Sequence, residues 1–221
     1  MVRIAISQRV CSEHKGSARD CLEQSYARYF EKFGIELVPV PNSLAHLAPH
    51  LTSLKVQGII LTGGNDVNPK LYGAKAKPGM NISRERDRTE KELVKFALSR
   101  HLPLLAICRG AHFLNVHFGG KLAPVKGHVT PSHKVSLLSS SKLCFSSASA
   151  KVNSYHDYGI PNEDLAGTLR PFAMSGDFVE GFYHQKLPMA GMLWHPERKS
   201  PDAGLNAGLV RAFVQRKGFW K

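Results

Sequence analysis

The residues best suited to chemistry begin with Cys108, which lies between a short apolar segment and a helical pattern. Leu104 to Ile107 is typical of a buried strand, and beyond Gly110 apolar residues recur at helical spacing. A residue on such a corner is held above the sheet, beside the N-terminus of the next helix. That position lowers the pKa of a thiol and favours the reactive thiolate. We therefore predict that Cys108 is a nucleophile; the alternative is a small buried hydrophobic residue.

A base for this thiol is predicted far along the chain, at His195. It directly follows Met189 to Trp194, an apolar segment with strand character. Glu197 is able to return its carboxylate to the imidazole because Pro196 stiffens the turn between them. A cysteine nucleophile needs a base, and a histidine base needs a partner that fixes its tautomer. Singly, His195 fits a hydrogen-bonded core histidine and Glu197 a surface carboxylate; their combination with Cys108 favours catalysis.

The elements that must position these residues alternate along the first half of the chain. Strands are predicted at Val2–Ser7, Ile35–Val40, Gln57–Leu61 and Leu104–Ile107. Helices are predicted at Asp20–Phe33, from Asn42 to Leu54, from Asp87 to about Arg100, and directly after Cys108. Such alternation predicts a parallel sheet with helices on both faces. Open α/β sheets place their sites at the carboxyl ends of the strands, where Cys108 lies.

Local signals refine these helices. Gly34 predicts the C-terminal cap of the first one. Asn42 predicts the cap of the second, which Pro49 breaks or bends. Asp87 and Glu90 form a capping-box pattern, which predicts that the third helix starts there.

The second half of the chain has a different character. Three more strands, in part antiparallel, and a closing helix are predicted at Gly167–Ala173, Phe178–His184, Met189–Trp194 and Asp202–Lys217. The serine run Ser139–Ser141 indicates a loop tip rather than a domain linker. We predict a single domain over residues 1–221, a three-layer α/β sandwich. Its mostly parallel central sheet is flanked by helices, with a small antiparallel strand region in the second half.

Composition narrows the class of protein further. Hydrophobic residues make up 43% of the 221-residue chain, enough for a sizeable core, and no apolar run is long enough to span a membrane. The N-terminal segment has a strand pattern without the apolar core of a signal peptide. Four scattered cysteines argue against a disulfide framework and a structural zinc site. The expectation is a cytoplasmic protein that uses no metal and no cofactor.

The net charge of +13 leaves more than one kind of partner open. The basic residues are spread along the chain, and the densest stretch, Arg84 to Arg88, is interrupted by Glu85 and Asp87. No basic–aromatic interleaving accompanies it, so a solvated surface is favoured over a nucleic-acid face. An anionic small-molecule substrate also fits the positive balance.

Four pieces of the sequence together resemble a known superfamily. They are TGGNDVNP at 62–69, ICRG at 107–110, VNSYH at 152–156 and WHPE at 194–197. They resemble the class I glutamine amidotransferase-like superfamily and, more narrowly, its γ-glutamyl hydrolase branch, peptidase family C26. That branch includes γ-glutamyl-γ-aminobutyrate hydrolases and γ-glutamyl-CDP-amidate hydrolases. The resemblance covers nearly the whole chain, and the cysteine and His-Pro-Glu pieces are its most specific parts.

The resemblance implies a reaction, the hydrolysis of a γ-glutamyl amide to release glutamate. Cys108 would attack the γ-carbonyl and form a glutamyl thioester. His195 would protonate the leaving amine and then activate water, while Glu197 orients His195. The backbone N–H groups of Gly64 and Arg109 would form the oxyanion hole. Glycine does allow close backbone approach, and the residue after an elbow nucleophile does point its N–H at the developing charge.

The resemblance also implies a substrate pocket, formed by Gly63, Asn65, His112, Tyr155 and His156. His112 lies one helical turn after Cys108, where the superfamily usually has a glutamine that contacts the glutamyl end. This departure puts the details of glutamyl recognition in question. For Tyr155 and His156, substrate contact and a structural role are weighed equally. Asp157 is a further candidate, as a pocket acid that meets an amino group.

The remaining candidates receive structural interpretations. His128 and His133 have no partner motif and are interpreted as structural. The side chain of Arg109 serves only to start the helix. The other three cysteines are interpreted as inert, namely Cys11, Cys21 and Cys144.

We expect a small γ-glutamyl substrate and a monomer or homodimer. The basic balance and the arginines at 84, 86 and 88 slightly favour a polar or anionic leaving group. The main alternative is a glutaminase subunit that supplies ammonia to a separate synthase. A non-catalytic binding module and a nucleic-acid binder are the other two, and the intact Cys-His-Glu set counts against the binding module.

Overall fold

A computed structural model describes residues 1–12, 16–139 and 142–221. Within these ranges the strands are β1 Val2–Ser7, β2 Arg9–Ser12, β3 Ala18–Cys21, β4 Ile35–Val40, β5 Gly58–Leu61, β6 Leu104–Ile107, β7 Ala123–Pro124, β8 Val129–Leu137, β9 Ser149–Tyr155, β10 Tyr158–Pro161, β11 Leu169–Ser175, β12 Phe178–His184 and β13 Met189–Met192. The α-helices are α1 Gln24–Phe30, α2 Leu47–Ser53, α3 Arg84–Arg100, α4 Arg109–His117 and α5 Ala203–Val214.

One mixed sheet organises the chain, in the strand order β4-β1-β5-β6-β13-β12-β11-β8-β9. The strands from β4 to β13 pair in parallel, and those from β13 to β9 pair antiparallel. The predicted α/β architecture is confirmed. The antiparallel strands of the second half extend the same sheet, and β2 and β3 form a separate hairpin.

Two apolar layers pack against the two faces of this sheet. On one face, side chains such as Ile59 pack with α2, α3 and α4, for example with Leu93. On the other face, Ile60 belongs to the layer that includes Phe30 of α1 and Phe213 of α5. Because the side chains of a strand alternate in direction, consecutive apolar residues of β5 serve both layers. No helix of the described chain is long and apolar enough to cross a membrane.

The first two helices begin later than the sequence predicts. Asp20 lies in β3, and its carboxylate accepts hydrogen bonds from Asn42 N at 2.9 Å and Asn42 Nδ2 at 2.6 Å. Asn42 is therefore engaged with the hairpin and does not cap α2, which starts at Leu47. Pro49 neither breaks nor bends α2, because it lies in the first turn, where proline is tolerated. Gly34, at φ 69°, does terminate the turn after α1 as predicted.

The third helix begins earlier than its predicted capping box. Ser83 caps α3, since its hydroxyl accepts a hydrogen bond from Arg86 N at 3.2 Å. Asp87 and Glu90 lie within α3, buried and paired with Arg109. Their spacing matches a capping box by coincidence, because their carboxylates pair with the buried guanidinium of Arg109.

The strands β8 and β9 are not predicted from the sequence. They lie at the end of the sheet in a serine- and lysine-rich region, where polar residues face solvent and obscure the apolar alternation. Both the closing helix and the β11 to β13 strands are confirmed within a few residues. Ser140 and Ser141, part of the predicted loop tip, lie outside the described residues.

Candidate active site

Cys108 occupies the predicted corner between β6 and α4. Its backbone is in the left-handed half of the conformational map, at φ 51° and ψ −112°, and its N–H donates to Met192 O at 2.8 Å. Such a conformation costs a non-glycine residue about 1–3 kcal/mol and is typical of a nucleophile elbow. Gly110 allows α4 to lie directly on β5, because a Cβ there would be 2.5 Å from Leu61 O.

His195 lies just beyond β13, fixed at its backbone and at its ring. Asn153 Oδ1 accepts from His195 N at 2.8 Å, while Asn153 Nδ2 donates to His195 O at 2.9 Å. The ring Nδ1 lies 2.6 Å from Glu197 Oε1, and both residues are buried. This geometry leaves Nε2 as the nitrogen available for proton transfer.

The loop after β5 brings Cys108 and His195 to the same point. A Cβ at Gly63 would lie 2.7 Å from His195 Cε1 and 3.6 Å from Cys108 Cβ. Only a glycine fits at position 63, and its N–H donates to the buried Tyr26 hydroxyl at 3.0 Å. Since β5, β6 and β13 are adjacent parallel strands, their carboxyl ends converge here.

The electrostatics favour an ion pair between Cys108 and His195. Burial alone would raise the pKa of Cys108, but the neighbouring His195 and the backbone N–H of Arg109 hold the pKa below its ordinary value. Burial alone would lower the pKa of His195, but Cys108 and the Glu197 carboxylate raise it above its ordinary value. The pair is therefore disposed to exist as thiolate and imidazolium.

A buried cluster of charged side chains joins the elements that form the site. The Arg109 guanidinium pairs with Asp87 and Glu90 of α3. Arg86 Nε pairs with Glu90 Oε1 at 2.9 Å, and its Nη2 donates to Thr62 O at 2.7 Å. These contacts tie α3 to the start of α4 and to the loop after β5. The Arg109 side chain thus links these elements, beyond the helix-start role predicted for it.

A cavity opens beside Cys108 and includes most of the predicted pocket. Its lining is Gly64, Asn65, Asp66, Val67, Tyr72, Met80, Cys108, Arg109, His112, Leu122, Tyr155, His156, Asp157 and Tyr158. Gly63 lies outside this lining, against the His195 ring. The amide of Asn65 is engaged with the backbone of Val10, whose N–H it accepts at 2.9 Å and whose carbonyl it contacts at 2.8 Å.

His112 is buried in the cavity wall as a neutral imidazole. Burial and the nearby charge of His156 lower the pKa of His112 to about 3. Its ring meets His156 edge to face, with ring centroids 5.8 Å apart. A base with so low a pKa is a poor acceptor for a thiol proton, so the geometry and the charge both favour His195 in that role.

Comparison with known proteins identifies the family of this chain. The profile of the peptidase C26 family matches residues 2–197. The chain belongs to the peptidase C26 family.

This C26 chain is similar to two curated hydrolases over most of its length. It is 30% identical over 206 residues to the γ-glutamyl-CDP-amidate hydrolase of Campylobacter jejuni, covering 92% of each chain. It is 31% identical over 227 residues to the γ-glutamyl-γ-aminobutyrate hydrolase of Escherichia coli O157:H7, covering 90% of this chain and 87% of that one. Its fold matches a glutamine amidotransferase from Thermotoga maritima at a TM-score of 0.68 and 16% identity, over 97% of both chains.

The structure of this C26 chain also assigns roles to residues that the sequence analysis missed. Asn153 lies within the VNSYH piece, yet only Tyr155 and His156 were singled out there. Glu180 is a fully buried carboxylate within the apolar strand β12, which is itself a signal of special function. His128 Nδ1 lies 2.9 Å from that carboxylate.

Proposed function

We propose that the chain is a cysteine hydrolase that cleaves the γ-glutamyl amide bond of a small conjugate and releases glutamate. The observation that carries the proposal is the convergence at Gly63 of Cys108 and of a His195 ring held by Glu197. Membership of the C26 family and similarity to two γ-glutamyl hydrolases support the substrate class.

In the first step, the Cys108 thiolate attacks the γ-carbonyl carbon, and the carbonyl oxygen becomes an oxyanion. The N–H groups of Gly64 and Arg109 flank the cavity next to Cys108 and would donate to that oxygen. Removal of one such donor typically raises the barrier by about 2.7–4 kcal/mol. The His195 imidazolium then gives its proton to the amine as the C–N bond breaks. A glutamyl thioester on Cys108 remains.

In the second step, water resolves the thioester. Neutral His195 accepts a proton from the water, whose oxygen attacks the thioester carbonyl and displaces the Cys108 thiolate. The imidazolium that forms is stabilised by Glu197, 2.6 Å away. Glutamate leaves, and the thiolate–imidazolium pair is restored, so the net reaction consumes one water per amide bond.

The charges at the cavity suit the amino acid end of a γ-glutamyl group. Asp66 and Asp157 both line the cavity, and Asp157 is exposed. We propose that these carboxylates meet the α-ammonium group of the substrate. His112, Tyr155 and His156 would form the rest of the wall.

We propose a polar or anionic leaving group. Its contacts on the protein differ from the arginines that the sequence suggests. Arg86 is fully buried and paired with Glu90, so it is not available to a substrate. Arg88 is exposed and donates to Asn42 O at 2.9 Å. Lys77 borders a groove that continues from the active-site cavity and shares Asp66 and Asp157 with it. Lys77 is therefore the proposed contact for an anionic leaving group.

The test is glutamate release from a panel of γ-glutamyl conjugates by the isolated protein. The panel contains γ-glutamyl-γ-aminobutyrate, γ-glutamyl-CDP-amidate, a neutral γ-glutamyl amide and glutamine. We expect turnover of at least one conjugate, lost on Cys108→Ala. Activity that survives this substitution would refute the nucleophile assignment. Turnover of glutamine alone, and only with a synthase present, would favour the glutaminase subunit instead.

A further inference from the structure

A second cluster of buried polar groups lies behind the wall of the active-site cavity. Its centre is Glu180, in the middle of β12, with no exposed surface. His128, from the turn before β8, and His133, from β8 itself, direct ring nitrogens at the two carboxylate oxygens. His128 Nδ1 lies 2.9 Å from Oε1, and His133 Nε2 lies 3.5 Å from Oε2.

The atoms of this cluster lie close together, but their relative orientation does not meet hydrogen-bond geometry. His128 Nδ1, His133 Nε2 and both oxygens of Glu180 are buried and have no hydrogen-bond partner among the described residues. Buried polar groups are rarely left in this way, because each lost hydrogen bond costs about 1–3 kcal/mol. Several such atoms at one point fit a shared partner such as a metal ion.

The donor set matches the ligands of a divalent transition metal. The two ring nitrogens and a carboxylate oxygen lie within 4.8 Å of one another. Two histidines and one glutamate form a known zinc ligand set, and ligand atoms about 2.0–2.1 Å from a tetrahedral ion lie about 3.3–3.4 Å apart. Ligand atoms that lie farther apart than this must move closer by side-chain rotation to close around an ion.

A third histidine borders the same point. His156 Nε2 lies 3.6 Å from Glu180 Oε2, and the His156 and His128 rings are 5.1 Å apart between centroids. The Nδ1 of His156 is 2.8 Å from Tyr158 O, so Nε2 is the ring nitrogen that faces the carboxylate. His156 therefore borders the candidate metal position but is not one of its three ligands.

We infer that His128, His133 and Glu180 bind a divalent transition-metal ion such as Zn²⁺, with the fourth coordination position facing His156. The site joins β12 to β8 and does not include Cys108. It uses no cysteine, so a pattern of cysteine spacings would not detect it. It does not depend on the function proposed above.

Zinc titration of the untagged, chelator-treated protein tests this site. The Cys108→Ser background is used so that the active-site thiol cannot act as a ligand. We expect calorimetry to show one Zn²⁺ per chain, and Zn²⁺ to raise the melting temperature. Binding should weaken by about tenfold or more in both Glu180→Gln and His133→Gln, since each removes or alters a ligand. The control His117→Gln, a histidine of α4 outside the cluster, should bind normally.

Two further measurements keep the test decisive. If Glu180→Gln fails to fold by circular dichroism, His133→Gln decides, because His133 is partly exposed. Elemental analysis of the purified protein distinguishes zinc from iron, and either metal at one ion per chain supports the site. The inference is overturned if the parent protein does not bind Zn²⁺, or if both cluster variants bind it as the parent does. In that case the cluster is a network of histidines and one carboxylate.

Discussion

The two halves of the central sheet contribute to the active site in different ways. In the parallel half, the residues that meet follow a strand within three residues: Gly63 after β5, Cys108 after β6 and His195 after β13. In the antiparallel half, the contributing residues lie within a strand, as Asn153 and Tyr155 do in β9. Parallel neighbours bring their carboxyl ends together whatever the connection length, whereas antiparallel strands meet according to register.

We therefore propose that the parallel half holds the reacting groups and that the antiparallel half holds them in place. Asn153 contacts only backbone atoms of the His195 segment, at His195 and Lys199. Substitutions in each half of the sheet test this division.

Removal of the imidazole in the parallel half should have the largest effect. For His195→Ala we expect kcat/KM to fall by roughly 10⁴-fold, because both proton transfers lose their carrier. The comparison variant is His112→Gln, which restores the residue usual in the superfamily. Since His112 is neutral, this change should alter KM and leave kcat near its original value. Steady-state kinetics on the best conjugate decide; equal losses of kcat would make His112 a second base.

Removal of the positioning amide in the antiparallel half should have an intermediate effect. Asn153→Ala should lower kcat by about 10²-fold, because the His195 backbone loses its anchors. It should also lower the free energy of unfolding by about 1–3 kcal/mol.

Asn115 provides a matched control for that substitution. It is equally buried, donates to Lys121 O and Asp164 O, and accepts from Ala166 N, away from the site. Asn115→Ala should cost a similar free energy in urea unfolding with kcat unchanged. If the two variants lose kcat to the same extent, Asn153 has only a structural role.

The same difference explains how much could be predicted from the sequence. Cys108, His195 and Glu197 each lie close to the end of an apolar run whose strand character is evident. Since the carboxyl ends of parallel strands lie at one edge of a sheet, their proximity could be predicted. Asn153 and Glu180 could not be placed in this way. Asn153 lies in β9, which pairs with β8 across a register shift between Thr130 and His133. Glu180 lies in β12, which pairs with β11 across further shifts next to Ala173. No local pattern reveals these shifts.

Buried charges caused the other departures from prediction. Asp87 and Glu90 matched a capping box, but a long-range partner, Arg109, determines their position. Asn42 matched an N-cap, but the Asp20 carboxylate of the β3 hairpin binds it. In each case a polar residue that often caps a helix instead binds a partner distant in sequence. Local sequence patterns carry no information about such a partner.

The ion pair predicts how Cys108 reactivity depends on pH. The pKa of Cys108 is lowered by His195, so alkylation of Cys108 by iodoacetamide should stay fast below pH 9, the ordinary thiol pKa, and slow only below the lowered value. In His195→Ala burial dominates, so the profile should move to higher pH. A shift of one pH unit would slow alkylation at neutral pH by about tenfold. Peptide mass spectrometry resolves Cys108 from the other cysteines; superimposed profiles would argue against the pair.

The smallest expected effect concerns the leaving group. Lys77→Gln should raise KM for an anionic γ-glutamyl conjugate by about two- to fivefold, as expected for an exposed charge, and leave a neutral conjugate unaffected. Arg84→Gln, an exposed arginine at the start of α3, is the matched control and should change neither. Equal changes for neutral and anionic conjugates would exclude Lys77 as the charge contact.

The most direct measurement is the site of the covalent intermediate. Wild-type protein is mixed with a γ-glutamyl conjugate, quenched in acid during turnover and digested, and the peptides are analysed by mass spectrometry. We expect a glutamyl adduct on the peptide that contains Cys108, absent from Cys108→Ala, and stoichiometric with the first burst of amine release. Glutamate release without any adduct on Cys108, or an adduct on another residue, would contradict it.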